Sequence, residues 1–288
     1  MAEKQIKLIE CPRDAMQGLH TFIPTEVKAK YINQLLKVGY DTIDFGSFVS
    51  PKAIPQMRDT AEVLNLLDLA ETTTDLLAIV ANRRGADDAC EFEEIKYLGY
   101  PFSITNTFQV RNTNSTIEES LDRVKDIQDL CHKHNKRLVI YISMGFGNPY
   151  GDPWNVDIVQ SWVDRLADMG IRIMALSDTI GVSNPDNISY LFSNLIPPFP
   201  DVEFGAHLHT TPSTWREKVR AAYESGCRRF DGAIKGYGGC PMAKDDLTGN
   251  MPMENILFYM DDSEIDPGIN RKEFMRALGM VSEVFPSD

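Results

Sequence analysis

The 288-residue sequence has few of the features that staple, anchor or export a chain. Its five cysteines, Cys11, Cys90, Cys131, Cys227 and Cys240, are odd in number and scattered, and none forms a C-x-x-C pair. That speaks against a disulfide framework and a thiolate zinc site, and it suits a reducing compartment. No apolar run approaches the ~20 residues that a membrane helix needs. The opening Met-Ala-Glu-Lys-Gln-Ile-Lys has neither the apolar stretch nor the cleavage site of a signal peptide, so a cytoplasmic protein is expected. Basic charge is also in deficit: 29 Lys and Arg against 42 Asp and Glu leave a net charge of −13. The polyanions, nucleic acid and anionic membrane, are therefore poor partners, although a local basic pocket for a phosphorylated ligand remains open. Missing too are a G-x-G-x-x-G after a strand, a P-loop and the flanked serine of a nucleophile elbow.

What is present is regular. With 43% hydrophobic and 25% charged residues the chain has the composition of an ordinary globular protein. Short β-branched runs at 6–10, 42–48, 76–81, 102–107, 137–143, 171–177, 202–208 and 229–234 read as strands. Amphipathic stretches near 25–38, 59–68, 83–97, 116–134, 155–169, 185–195, 212–225 and 251–260 read as helices between and after them. Eight such units without a Pro/Gly/Ser linker predict an α/β fold, a single (β/α)₈ TIM barrel over 1–288, with an additional C-terminal helix within 262–285. Two long connections, 143–154 and 235–250, follow strands and so belong to the C-terminal face, where barrel enzymes place their chemistry.

Several residue groups on that face carry chemistry. His207 and His209 lie two apart in a strand, so both point the same way and form a pair of nitrogen ligands; two hydrogen-bonded core histidines fit equally well. Asp14, just past the first strand, adds an acidic oxygen near the last strands of a closed barrel. Arg13 beside it offers a fork of donors for an oxyanion, the plainer alternative being a surface ion pair worth ~0–1 kcal/mol. Cys240 sits in the glycine-rich Lys-Gly-Tyr-Gly-Gly-Cys-Pro, as a candidate general acid or a small buried hydrophobe. Asn250 either completes a metal shell or helps cap the helix that follows.

Taken in order, these motifs resemble the hydroxymethylglutaryl-CoA lyases, metal-dependent barrels with an Arg-Asp motif at the first strand. The likeness runs through Pro12-Arg13-Asp14 with Gln17, Ser47-Phe48-Val49-Ser50-Pro51-Lys52, Pro55-Gln56-Met57 and Ser115-Thr116-Ile117-Glu118-Glu119-Ser120. It continues through Ser177-Asp178-Thr179-Ile180-Gly181-Val182, His207-x-His209, Gly238-Gly239-Cys240-Pro241 and Gly249-Asn250. The resemblance implies a carbon–carbon lyase of leucine catabolism that cleaves 3-hydroxy-3-methylglutaryl-CoA to acetyl-CoA and acetoacetate. It implies Asp14, His207, His209 and Asn250 as ligands of Mg²⁺ or Mn²⁺. Arg13, Cys240, Asp178 and Asp44 would be catalytic, with Arg13 on the enolate oxygen, Cys240 delivering a proton and Asp178 helping to remove the hydroxyl proton. Gln17, Ser47 and Thr179 would contact substrate, an acyl-CoA or hydroxy acid, and homo-oligomerisation is left open. The sequence departs from the family pattern at Asp44 (one methylene shorter than the usual Glu), in Ala15-Met16-Gln17-Gly18-Leu19, at His20 in place of a lysine and at Thr210 in place of an Asp. Those changes motivate a second reading, a lyase or aldolase of the same barrel acting on another 3-hydroxy acid. A non-catalytic barrel is the third, and it requires a lost metal site.

Overall fold

Eight short, largely apolar and buried strands, each followed by a helical stretch, close the sheet on itself. The computed structural model describes residues 6–239 and 249–285. The strands are β1 (Lys7–Glu10), β2 (Thr42–Ser47), β3 (Asp75–Ile79), β4 (Ile95–Ser103), β5 (Arg137–Ser143), β6 (Ile173–Ser177), β7 (Glu203–His207), β8 (His209–Thr210), β9 (Arg229–Gly232) and β10 (Gly249–Asn250). The helices are α1 (Pro12–Gln17), α2 (Thr25–Leu36), α3 (Thr60–Leu64), α4 (Arg83–Cys90), α5 (Asn106–Thr113), α6 (Ile117–Lys133), α7 (Val156–Asp168), α8 (Pro185–Leu195), α9 (Trp215–Glu224), α10 (Met253–Asp262) and α11 (Arg271–Val284). Strands β1 to β7 and β9 pair in parallel around a closed barrel, with Lys7 beside Arg229 and Glu10 beside Gly232 at the closure. The expected (β/α)₈ TIM barrel is what forms, and α11 packs on α2 as the additional helix. Among the described residues no helix is long and apolar enough to cross a membrane.

The period of two along each strand sorts side chains into two layers. Leu8, Ile43, Leu76, Leu98, Ile140, Met174 and Phe230 face outward into the sleeve of helices. Leu77, Ile79, Tyr97, Val139, Tyr141, Ile173 and Ala175 form a separate apolar cluster inside the lumen. All seven come from β3 to β6. The other half of the lumen, lined by β1, β2, β7 and β9, is buried but charged: Asp44, Arg229 and Asp231 are each at most 2% exposed. Burial of that kind is tolerated only where charges are paired.

Three boundaries differ from the sequence expectation. The fourth strand is Ile95–Ser103, not 102–107, and α4 ends at Cys90 rather than near 97. The strand runs through Gly99 and Pro101, residue types that usually weaken strands, and Gly99 is where Ile79 and Tyr141 close over it; a Cβ there would stand 2.5 Å from Ile79 Cδ1. Helices α1 and α5 arise within stretches read as connections. The last helix begins only at Arg271, because Asp266-Pro267-Gly268 interrupts the earlier part of the stretch. The Ser115–Ser120 motif is a helix start: Thr116 Oγ1 accepts from Glu119 N at 3.2 Å, and Glu119 Oε2 accepts from Thr116 N at 2.7 Å.

Candidate active site

Proline at the first turn of α1 starts a helix directly at the mouth of β1, which turns Arg13, Asp14 and Gln17 into the top of the lumen. Arg13 is 7% exposed, so the surface-pair alternative fails. Its Nε and Nη2 both donate to the Asp44 carboxylate on β2, and Nη1 donates to Asp14 Oδ1 at 2.8 Å. The shorter acid at position 44 therefore still reaches the arginine. Gln17, one turn on from Asp14, donates to the same Oδ1 at 2.6 Å.

The two histidines arrive from the opposite wall. His207 ends β7 with its side chain inward, and His209 opens β8. Strand β8 pairs antiparallel with β10 in a two-stranded patch whose register sets Asn250 against His209. Asn250 Nδ2 donates to Asp14 Oδ2 at 2.6 Å and to Tyr237 O at 2.9 Å, and Oδ1 has no hydrogen-bond partner among the described residues. The side chain thus caps nothing; α10 has Pro252 at its N-cap without a side-chain bond. Gly238 makes this approach possible, since a Cβ there would lie 2.5 Å from Asp14 O and 2.9 Å from Asn250 Nδ2. One oxygen of Asp14 and one nitrogen each of His207 and His209 lie within 4.8 Å of one another.

Electrostatics set the charge of these groups. Burial would raise the Asp14 carboxyl, but the charge of Arg13 and His207 and the bond from Asn250 hold it below its ordinary value. Burial, with His207 alongside, pushes His209 down to about 4, so its imidazole is neutral at neutral pH. Burial works against the charge on His207 as well, but the bond to Asp231 and the charges of Asp231 and Asp14 raise it overall. A carboxylate oxygen and two imidazoles make a donor set that one divalent cation can span, with the Asn250 amide bonded to the same carboxylate. A second trio, Cys11, His207 and Asp231, is equally close. Burial, then the charges of Asp231, Asp44, Asp14 and Glu10, push the Cys11 thiol well up, which keeps it protonated and a poor ligand.

The other expected site residues occupy supporting positions. Both oxygens of Asp178 are bonded: Oδ1 accepts from Ser183 N at 3.0 Å, and Oδ2 from Ser183 Oγ at 2.5 Å and Lys218 Nζ at 3.0 Å. Lys218, 3% exposed, also donates to His209 O at 2.8 Å, so the buried ion pair grips the backbone of His209. These bonds steady Asp178 beside His209 and leave lone pairs on its oxygens, since a carboxylate has about four acceptor sites and Oδ1 accepts from a single donor. Ser47 Oγ donates to Ile79 O at 3.3 Å and Thr179 Oγ1 accepts from Met144 N at 2.8 Å, each securing a loop beside the site. Cys240 lies outside the described residues. Asp231, Arg229 and Lys218 were not singled out from sequence. Charges two apart on a barrel strand, as at 229 and 231, were the available signal for the first two; Lys218 lies in α9 and had none.

Next to this mouth runs a cleft of about 260 Å³, lined among others by Gln17, Leu19, His20, Phe22, Ile54 and Arg58. Two cations lie over the Phe22 ring, with Arg58 at 3.5 Å and Lys28 at 4.2 Å from its centroid. Gln17 joins the cleft to Asp14.

Burial raises the Asp44 carboxyl to about 6 even against Arg13. A carboxyl raised on folding favours the native state below its unfolded value near 4, and that contribution is lost as pH climbs through about 6. Asp44→Asn removes the titration. Urea unfolding at pH 4 and pH 7 should therefore show the variant gaining on the wild type as pH rises, by on the order of 2 kcal/mol. An unchanged difference at the two pH values would contradict the raised carboxyl.

Fold and site together define a parallel (β/α)₈ barrel with a two-histidine, carboxylate and amide cluster at its C-terminal mouth, the layout of metal-dependent barrel enzymes. The chain belongs to the HMGL-like family, whose model matches residues 5–281. It is 32% identical over 272 residues to the hydroxymethylglutaryl-CoA lyase YngG of Bacillus subtilis, covering 94% of this chain and 90% of that one. It is also 32% identical over 272 residues to the 3-hydroxy-3-isohexenylglutaryl-CoA/hydroxy-methylglutaryl-CoA lyase of Pseudomonas aeruginosa, covering 93% and 88%. The structure of an HMG-CoA lyase from A. baumannii in complex with coenzyme A and 3-methylmalate superposes with a TM-score of 0.91 at 28% identity, covering 100% of this chain and 94% of that one.

Proposed function

We propose that this protein, as a single barrel domain over 1–288, is a divalent-metal-dependent lyase that cleaves 3-hydroxy-3-methylglutaryl-CoA to acetyl-CoA and acetoacetate. The observation that carries the reading is the convergence of Asp14, His207, His209 and Asn250, from the first and last turns of the barrel, beside a clamped Arg13. A Mg²⁺ or Mn²⁺ ion held there would supply Lewis acidity toward the substrate's hydroxyl and carboxyl oxygens. In the reaction the C3 hydroxyl gives its proton to a base, the role assigned to Asp178, and the oxygen's electron pair completes the new carbonyl of acetoacetate. The C2–C3 bond breaks, and its pair becomes the enolate of acetyl-CoA, which takes up a proton.

Arg13 suits the enolate. Three of its N–H groups are spent on Asp44 and Asp14, so two of the five remain to meet an oxyanion. Cys240, in the Gly-Gly-Cys-Pro loop, is assigned the returning proton. Gln17 and the Lys218–Asp178 pair hold Asp14 and His209 in place. The CoA portion occupies the cleft, with the phosphates toward His20 and Arg58. Arg58→Ala is accordingly expected to raise KM for the thioester about tenfold with little change in kcat, because a remote contact contributes to uniform binding; an unchanged KM would remove the CoA from this cleft. The four free, buried cysteines among the described residues fit a reducing, cytoplasmic setting.

The test is cleavage of hydroxymethylglutaryl-CoA by metal-stripped protein, with and without added Mg²⁺ or Mn²⁺. Metal-dependent release of acetyl-CoA and acetoacetate in equal amounts supports the reading. No release from a protein that binds Mn²⁺ moves the substrate to another 3-hydroxy acid or its thioester. The second reading gains from one observation: Leu19, Phe22 and Ile54 make the wall of the cleft apolar, which suits a C3 substituent larger than methyl.

A further inference from the structure

Beneath the two histidines runs a ladder of charges, half-buried at the strand starts and buried deeper in the lumen, that the proposed reaction does not use. At the strand starts Lys7 Nζ donates to Glu203 Oε2 at 2.7 Å, and Glu203 Oε1 accepts from Arg229 Nη1 at 3.2 Å. Arg229 Nε lies 3.9 Å from Asp231 Oδ1, and Asp231 Oδ2 lies 3.1 Å from His207 Nδ1. Arg229 is 1% exposed and fills the lumen only because β7 offers no side chain opposite it: a Cβ on Gly205 would stand 2.9 Å from Arg229 Cδ. The His207 ring is held a second time by Tyr141, edge-on at 5.5 Å and 79°.

A buried Arg–Asp pair is a poor device for stability alone, since apolar residues of the same volume often do as well or better. Its position directly behind a ligand calls for another account. We propose that Asp231, steadied by Arg229, is a positioning residue for the cation site: it fixes the His207 imidazole in the tautomer that donates from Nδ1, which leaves Nε2 as the ligand nitrogen beside Asp14 and His209. A carboxylate does this and an amide does not, because an amide can accept from or donate to Nδ1 and so permits both tautomers. The proposal rests on the cation reading of the previous subsection, but not on the identity of the substrate.

The test compares Mn²⁺ binding to metal-stripped wild type, Asp231→Asn and Asp231→Glu, followed by the loss of the free-ion EPR signal. Asp231→Asn is expected to bind 10–100-fold more weakly, the usual cost of losing the partner behind a metal histidine. Asp231→Glu, which keeps the charge beside Arg229, is expected to fall between the two. In ¹⁵N spectra of the metal-free proteins, His207 should carry its proton on Nδ1 in the wild type and a mixture of tautomers in Asp231→Asn. Folded variants that differ from wild type in unfolding midpoint alone, with equal Mn²⁺ affinity, overturn the proposal. Should Asp231→Asn fail to fold, equality between Asp231→Glu and wild type overturns it. A wild type that binds no Mn²⁺ overturns it together with the cation reading. A wild type that binds Mn²⁺ yet cleaves no hydroxymethylglutaryl-CoA, with Asp231→Asn weakened, supports it while removing the substrate.

Discussion

Mn²⁺ added to a His209→Ala variant is expected to find no saturable site, and turnover should fall below about a thousandth of wild type, since several kcal/mol of charge stabilisation leave with the ion. His209 is 3% exposed and held near pKa 4 by burial and by His207, so in the wild type it meets the cation without first losing a proton. Its main chain is fixed from both sides, by Lys218 on its carbonyl and by pairing with Asn250. The variant therefore loses one imidazole and little else, and equilibrium unfolding of the metal-free proteins should differ modestly. Asp14, whose oxygens are already bonded to Arg13, Gln17 and Asn250, and His207 then remain as an incomplete donor set that holds an ion weakly. Wild-type Mn²⁺ affinity in His209→Ala would sink the site as drawn.

The second large effect belongs to Arg13→Lys, for which kcat is expected to fall about 10²–10³-fold while Mn²⁺ still binds. Lysine keeps the charge between Asp14 and Asp44 but not the planar fork. An ammonium that satisfies both carboxylates has at most one donor left to aim at an enolate, whereas the guanidinium keeps two in fixed directions. Arg13→Met is the harsher control. It strands two buried carboxylates, so about 3–5 kcal/mol of stability is expected to go as well. Stopped-flow or single-turnover measurement separates the cases: loss confined to the bond-breaking step supports the oxyanion role, and an unchanged kcat in Arg13→Lys would remove it.

Much of this was readable beforehand. Strand–helix alternation set the barrel, and the closure of β1 onto β9 brought Asp14 to the histidines as a parallel barrel requires. Asn250 was harder to place, because its route depends on a two-residue pairing, β8 with β10, too short to leave a periodic signature. Strand β4 was misplaced because Gly99 and Pro101 carry the local chemistry of turns, while tertiary packing by Ile79 and Tyr141 decides their state. Asp178 carried a role from its motif but no visible partner. Only the fold brings Lys218, forty residues away, into its reach. The buried charges at Arg229 and Asp231 show that an inward position need not be apolar when the facing residue is a glycine.

The patch formed by His209–Thr210 and Gly249–Asn250 also has a bearing on assembly. Asp14 lies near one end of the polypeptide and Asn250 near the other, and they are hydrogen-bonded to each other. During vectorial synthesis, in which earlier segments emerge and collapse first, the centre stays incomplete until the eighth strand has closed the ring and the chain has returned to lie beside His209. An unfinished barrel thus carries the arginine and both imidazoles without the arrangement that makes them reactive, so catalytic competence comes last, after closure.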